Sequence, residues 1–170
     1  MARKVFYSFH FDGDFWRTQQ IRNIGALEND EPLSKNEWEE VKGGGSSAIE
    51  AWIADELKDK SCLICLIGSE TSQRPWVTHE VQQAWNAGKG VVGIYIHRLK
   101  DNKGAQASKG SNPFDNLVFV NEPSKRFSSV GPVHDPGLSD SKETYGWIVD
   151  NIETLVEDAI AFRKAFKLES

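Results

Sequence analysis

The chain has 170 residues, a formal net charge of -5, 39% apolar residues and six tryptophans. That length and composition suit one packed domain with one sizeable core, expected over residues 1–170, and exclude a disordered segment. No basic stripe is present to neutralise nucleic-acid phosphates, and no apolar run reaches the roughly eighteen residues of a membrane span.

Met1-Ala2-Arg3-Lys4 leads straight into a strand-like segment, so no signal peptide is expected and the cytoplasm is the expected compartment. The β-branched and aromatic run Lys4 to Phe9 reads as a first strand, broken by Asp12-Gly13-Asp14. Phe15 to Ile24 is a plausible helix of poor apolar periodicity. Residues 25–45 are the least legible, with room for a short strand near Trp38 to Val41. Ser47-Ala48-Ile49-Glu50 has capping-box spacing, and Ile49, Trp52, Ile53 and Leu57 then recur at helical intervals.

Ser61 to Ile67 is a continuous apolar strand containing both cysteines, Cys62 and Cys65. Their C-x-x-C spacing resembles a redox motif, but residues three apart on a strand point to opposite faces. A dithiol of that kind belongs at a strand-to-helix turn, so two structural free thiols are expected. Pro75 suits a first helical position, and Val77, Val81, Ala84, Trp85 and Gly88 make one face of the helix that follows, closed by Lys89-Gly90. Gly90 to Ile96 is another apolar strand. Residues 100–116 are loop-like, Leu117 to Val120 is a candidate last strand, and 121–141 show no clear period. Ile148, Ile152, Leu155, Ala159, Phe162 and Phe166 then define a terminal amphipathic helix.

Strands alternating with helices, two of them apolar on both faces, predict a flavodoxin-like, doubly wound parallel α/β sheet with helices on both sides. The strands near 3–9, 61–67 and 90–96 are expected to lie adjacent and parallel. Ligands of such sheets bind beyond the strands' carboxyl ends, which here means His10 to Asp14, Gly68 to Trp76 and His97 to Asp101.

Helical residues advance about 100° each, which puts Glu80 about 80° from the centre of its helix's apolar face, on the border of the buried stripe. Trp76 lies one turn earlier on the same side. An aromatic plate beside a half-buried carboxylate suits a flat cationic leaving group and an oxocarbenium-like sugar. The competing reading is a Glu favoured by the helix dipole, with Trp76 as a lid on the core. His10 and His97 end strands and could meet a phosphate or ribose, or be satisfied structural residues. Arg74 could pair with a phosphate or cap its turn. Two histidines without a third ligand at metal spacing make no metal site. Gly43 to Ser47 could cradle a phosphate but lacks a P-loop ending, so a flexible loop is expected. Trp52 and Trp85 read as core, and Glu37, Glu39 and Glu40 as a solvated face.

Trp76-Val77-Thr78-His79-Glu80 has the W-x-x-x-E form of catalytic Toll/interleukin-1 receptor (TIR) domains. With Val5 to His10, Trp38-Glu39, Leu66 to Thr71, Arg74, Gly93 to His97 and Ser108 to Phe114, the ordered series resembles the TIR-like family that includes the TIR component of Thoeris anti-phage systems. The resemblance covers roughly residues 3–116; 121–170 diverge. It implies that Glu80 is the catalytic carboxylate for cleaving NAD, that Trp76 lines the nicotinamide side, and that Ser8, Phe9 and His10 lie over the substrate. Trp38, Ser69, Arg74 and His97 join them as expected substrate-binding residues. NAD would be substrate, with no resident cofactor and no metal. The product would be ADP-ribose or a cyclic isomer that signals to a separate effector, and self-association of TIR domains is implied. The alternatives are a non-enzymatic TIR-like scaffold and a nucleoside-cleaving transferase.

Overall fold

The computed structural model describes residues 3–28, 40–41 and 43–166. Among them the strands are, in chain order, β1 (Val5–Ser8), β2 (Cys62–Ile67), β3 (Gly90–Tyr95), β4 (Val118–Phe119), β5 (Glu122–Arg126) and β6 (Val133–His134). The helices are α1 (Phe11–Arg22), α2 (Ser46–Leu57), α3 (Pro75–Asn86) and α4 (Ser141–Ala165). One sheet has the order β1-β2-β3-β6, every pair parallel. On the open side of β1, the Val5 amide donates to the Glu28 carbonyl (2.7 Å) and the Glu28 amide donates to the Arg3 carbonyl (2.9 Å), a parallel bridge. Counting that bridge as the edge position, the chain enters the sheet in the order second, first, third, fourth, fifth. This is the doubly wound, flavodoxin-like order, whose switch point lies between β1 and β2.

Both faces of the sheet are covered. On one, Ile21 of α1 and Ile148, Ile152 and Val156 of α4 pack against Cys62, Ile64, Leu66, Val92 and Ile94. On the other, Ile53 and Leu57 of α2 and Val77, Val81, Ala84 and Trp85 of α3 pack against Leu63, Cys65, Ile67 and Val91. Alternate residues of one strand thus serve two cores, which is why β2 and β3 read as unbroken apolar runs. Cys62 and Cys65 fall in different cores as free, buried thiols, and burial pushes the Cys62 thiol up to about 12.

The structure departs from the sequence expectations in several places. Helix α1 begins at Phe11 and absorbs Asp12-Gly13-Asp14, expected as a break. Acidic residues suit the positive end of a helix, and the first turn holds Asp12 and Asp14. Ser47 is not a cap: Gly45 is the N-cap of α2, with no side-chain cap bond, so Ser47 already lies inside the first turn. Glu40 and Val41 are helical, so no strand forms there, while Trp38 and Glu39 lie outside the described residues, as does Glu37. Gly88 is exposed beyond the end of α3 and contributes nothing to its apolar face, and Gly90 opens β3 instead of closing the helix. β4 pairs antiparallel with β5 outside the main sheet. The position expected for Leu117 to Val120 is taken by β6, whose two residues are too few to show an alternation. In α4, Ile148, Ile152, Leu155 and Ala159 are buried as expected, whereas Phe162 is 38% exposed and, with Phe166 beyond the helix end, packs around Trp85.

Candidate active site

The switch point holds a buried carboxylate. β1 ends at Ser8, and α3, started by Pro75 at its first position, brings Glu80 over that end in its second turn. The Ser8 hydroxyl donates to Glu80 Oε1 at 2.8 Å. Ser8 is 1% exposed and Glu80 6%. Burial pushes the Glu80 carboxyl up to about 8 from an ordinary 4.5, against the pull of the Ser8 hydrogen bond toward the ionised form. Cys65 is the register partner of Ser8 on β2. Burial first, then Glu80 when it is ionised, pushes its thiol up. A carboxylate over an apolar strand pair, with one hydroxyl donor, holds its proton near neutrality and releases it readily when a cation arrives.

Around it the loops at the carboxyl ends are tied together. His10 is the N-cap of α1 and Arg74 the N-cap of α3, and neither helix has a side-chain cap bond. Glu70 lies between them, Oε2 3.9 Å from His10 Nδ1 and Oε1 3.7 Å from Arg74 Nη2. The His10 ring lies against Gly13, where a Cβ would come within 2.7 Å of Nδ1. Burial, then the Arg74 cation, holds the His10 imidazole below its ordinary value. Beneath this cluster Asp14 and Arg17 form a buried pair at 2.9 Å. Arg17 also donates to the carbonyls of Gly13 (3.1 Å), Leu99 (2.8 Å) and Ala105 (2.9 Å), fastening the loop after β3 to α1. Asp14 presses on the loop after β2, and any Cβ on Gly68 would overlap its carboxylate.

The model of the Thoeris protein ThsB TIR-like domain matches residues 6–101, more than half of the chain. The chain belongs to this TIR-like family. Its parallel sheet with helices on both faces is accordingly a flavodoxin-like TIR fold. A Bacillus cereus (strain MSX-D12) protein named "Putative cyclic ADP-D-ribose synthase ThsB1" is 35% identical over 125 residues, which is 70% of this chain and 65% of that protein. The chain thus spans just under two thirds of the relative's length.

Among the residues that the TIR resemblance singles out, Ser8, His10, Arg74 and Glu80 are gathered at one sheet edge, with Ser8 and Glu80 in direct contact. Trp76 sits one turn before Glu80, half-buried against the α2–α3 core. Phe9 packs toward the opposite core and stacks on Phe11 with ring centres 6.1 Å apart. Ser69 is exposed in the loop after β2. His97 follows β3 and is 4% exposed, edge-on to Tyr95 at 5.6 Å, with burial lowering its pKa. Its Nδ1 has no hydrogen-bond partner among the described residues. Trp38 lies outside the described residues. Sequence reasoning set Glu70 and Asp14 within the expected ligand-binding segments without a role for either, and missed Arg17 and its pairing with Asp14. The available signal was the weak apolar stripe of α1, which marks a buried face that is polar.

Proposed function

We propose that this chain breaks the nicotinamide–ribose bond of NAD, with Glu80 as the catalytic carboxylate, and forms a cyclic ADP-ribose-type nucleotide for a separate effector in anti-phage defence. The observation that carries this reading is the buried Ser8–Glu80 pair at the switch point of the sheet. Membership of the TIR-like family and the name of the Bacillus cereus relative support the substrate and the cyclic product.

The chemistry follows from charge. The C1′–N bond breaks with both electrons going to the pyridinium nitrogen, so nicotinamide leaves neutral and positive charge passes to the ribosyl oxocarbenium. The departing group is its own electron sink, so the step needs no resident cofactor and NAD is substrate only. A raised pKa keeps Glu80 largely protonated before substrate arrives; the pyridinium charge favours its ionised form, which then faces the developing cation. An acceptor atom of the same molecule donates an electron pair to C1′ and loses a proton, which Glu80 is placed to accept. Water as acceptor gives ADP-ribose instead.

The test is incubation with NAD, with nicotinamide quantified and the nucleotide product resolved by mass spectrometry and NMR. Glu80→Gln keeps the side-chain size and the Ser8 contact but removes the charge, and is expected to lower turnover at least about a hundredfold. If the parent releases no nicotinamide, either purified or in phage-challenged cells, the scaffold reading replaces the enzyme reading.

A further inference from the structure

The carboxyl edge of the sheet holds a second polar cluster, away from Glu80. β3 and β6 lie two and three strands from β1, roughly 10 and 14 Å across the sheet. They pair through Gly93 with Val133 and Ile94 with His134, so Tyr95 and Asp135 come next in the same register. His97 is 4% exposed, and its buried Nδ1 has no hydrogen-bond partner among the described residues. A buried polar atom left so costs stability until something fills the place. The ring meets the edge of Tyr95 at 5.6 Å, and the His97 carbonyl accepts from the Ala107 amide at 2.8 Å. Neither contact uses Nδ1. Burial, opposed by the Asp135 charge and helped by Arg98, Lys109 and Arg17, holds the imidazole below its ordinary value, so near pH 7 one nitrogen carries a lone pair. An unpaired lone pair is tolerated in an interior better than an unpaired N–H, which assigns the lone pair to Nδ1. Of the charges acting on this ring, Asp135 is the strongest. Asp135 Oδ2 takes Lys109 Nζ at 2.8 Å and its Oδ1 takes the Gly137 amide at 2.9 Å, about half of what a carboxylate can accept. Lys109 also lies over the Tyr95 ring at 4.6 Å, and the Tyr95 hydroxyl donates to the Gly110 carbonyl at 3.1 Å. Any Cβ on Gly110 would overlap the Gly68 carbonyl, so this strap abuts the loop after β2 that carries Glu70.

We propose that His97 and Asp135 form the subsite for the adenosine ribose of a dinucleotide, each accepting a hydrogen bond from one hydroxyl of its 2′,3′-diol. This deepens the NAD reading above and rests on it. With the nicotinamide ribose at Glu80, the second ribose of an extended dinucleotide reaches along the same edge toward β3 and β6. Two acceptors on neighbouring strands match two neighbouring hydroxyl donors. Reaching a buried nitrogen requires one neighbour to yield. The Lys109 side chain is 52% exposed and its bond to Asp135 is a surface ion pair, so it yields at small cost and uncovers Oδ2 as it does. A phosphate on the 2′ oxygen, mostly dianionic near neutral pH, brings acceptors and negative charge where the subsite wants donors. It leaves Nδ1 unpaired and is repelled by Asp135. The pair therefore selects a free diol, and with it NAD over the 2′-phosphorylated dinucleotide.

The experiment is calorimetric titration of the full chain with three ligands that have no nicotinamide to lose: ADP-ribose, its adenosine 2′-phosphate, and the analogue whose adenosine ribose lacks both hydroxyls. The parent is expected to bind ADP-ribose at least about tenfold tighter than either of the others. His97→Phe keeps a flat ring against Tyr95 and removes the nitrogens. It is expected to weaken ADP-ribose about three- to tenfold and to change the dideoxy analogue less than about twofold. Asp135→Asn removes the charge and is expected to narrow the preference over the 2′-phosphate at least about threefold. Thermal midpoints by circular dichroism check that each variant is folded, and Asp135→Asn decides if His97→Phe is not. Equal weakening of ADP-ribose and the dideoxy analogue, no weakening by a folded His97→Phe, an unchanged preference in Asp135→Asn, or a parent that binds none of the three overturns the proposal. Diol-dependent binding by a chain that releases no nicotinamide would keep the subsite and refute only the reaction. Nicotinamide release by a parent indifferent to the diol would do the reverse.

Discussion

Helices α1 and α3 are alike in length and both open at the carboxyl edge of the sheet, yet they are built on opposite principles. α3 buries Val77, Val81, Ala84 and Trp85 and admits one polar residue, Glu80, to that buried face. α1 buries Asp14, Arg17, Thr18 and Ile21, so three of its four buried residues are polar. In α3 the packing energy comes from apolar area and the carboxylate is an exception carried by it. In α1 the buried face is a hydrogen-bond network whose acceptors come from α1 itself and from the loop after β3. A site that must place a half-solvated substrate needs both: one helix that delivers a reactive group on a firm apolar base, and one that holds the surrounding loops.

The comparison predicts that the two helices fail differently. The largest effect is expected at Arg17. Arg17→Met leaves Asp14 buried against Gly68 without its counter-ion, and breaking such a pair by removing one partner costs about 3–5 kcal/mol. Burial already raises the Asp14 carboxyl, and Arg17 is the group that pulls it back. The double change Asp14→Asn with Arg17→Met is expected to recover part of that loss, because no charge is then stranded. Urea unfolding of the two single variants and the double variant checks this. If the double variant is as unstable as the sum of the singles, the pair is not acting as a unit and the two helices are more alike than they look.

The same contrast explains what could be read in the sequence. α3, β2 and β3 were legible because their burial is apolar, and apolar period is a local signal; Glu80 could even be placed on the border of its stripe from residue spacing. Arg17 was not legible, because two of its three carbonyl partners lie eighty or more residues away and any carbonyl serves. Asp12-Gly13-Asp14 looked like a break for the same reason: an acidic first turn and a glycine chosen for the His10 ring are tertiary facts with no periodic trace. β6 was hidden because two residues cannot show alternation, and its place in the sheet is set by the neighbouring β3. The family resemblance supplied the role proposed for Glu80, while the loop contacts around Glu70 and Arg74 needed coordinates.

A smaller effect should appear in the pH dependence of the reaction. If ionised Glu80 is required, kcat/KM rises with pH, reaches half its maximum near 8, the value toward which burial moves the free carboxyl, and levels off above it. In kcat the same limb moves to lower pH, because bound NAD adds a cation beside the carboxylate. Ser8→Ala removes the donor that favours the ionised form, so the limb in kcat/KM should move upward. A limb that stays in place in Ser8→Ala would mean that another group is titrating.

The effect of opposite sign, and the one that separates a functional carboxylate from a structural one, is in the stability of Glu80→Gln. The Glu80 carboxyl titrates near 4.5 when the chain is unfolded and near 8 when it is folded. Between those values the unfolded chain has lost a proton that the folded chain keeps, so the parent loses stability as pH rises through that window, by on the order of 1.4 kcal/mol per pH unit at most. Below the window both states are protonated and the term vanishes; above it the penalty is constant. Gln carries no such proton and still accepts from Ser8. The midpoint of Glu80→Gln should therefore match the parent near pH 4.5 and exceed it progressively toward pH 8, by roughly 2–4 °C for each kcal/mol of penalty removed. One substitution would then remove activity and add stability, the opposite of what deleting a structural group does. A difference in midpoint that does not vary with pH would mean that Glu80 ionises in the fold as freely as in water, and the contrast between a desolvated carboxylate on α3 and the paired Asp14–Arg17 network on α1 would lose its basis.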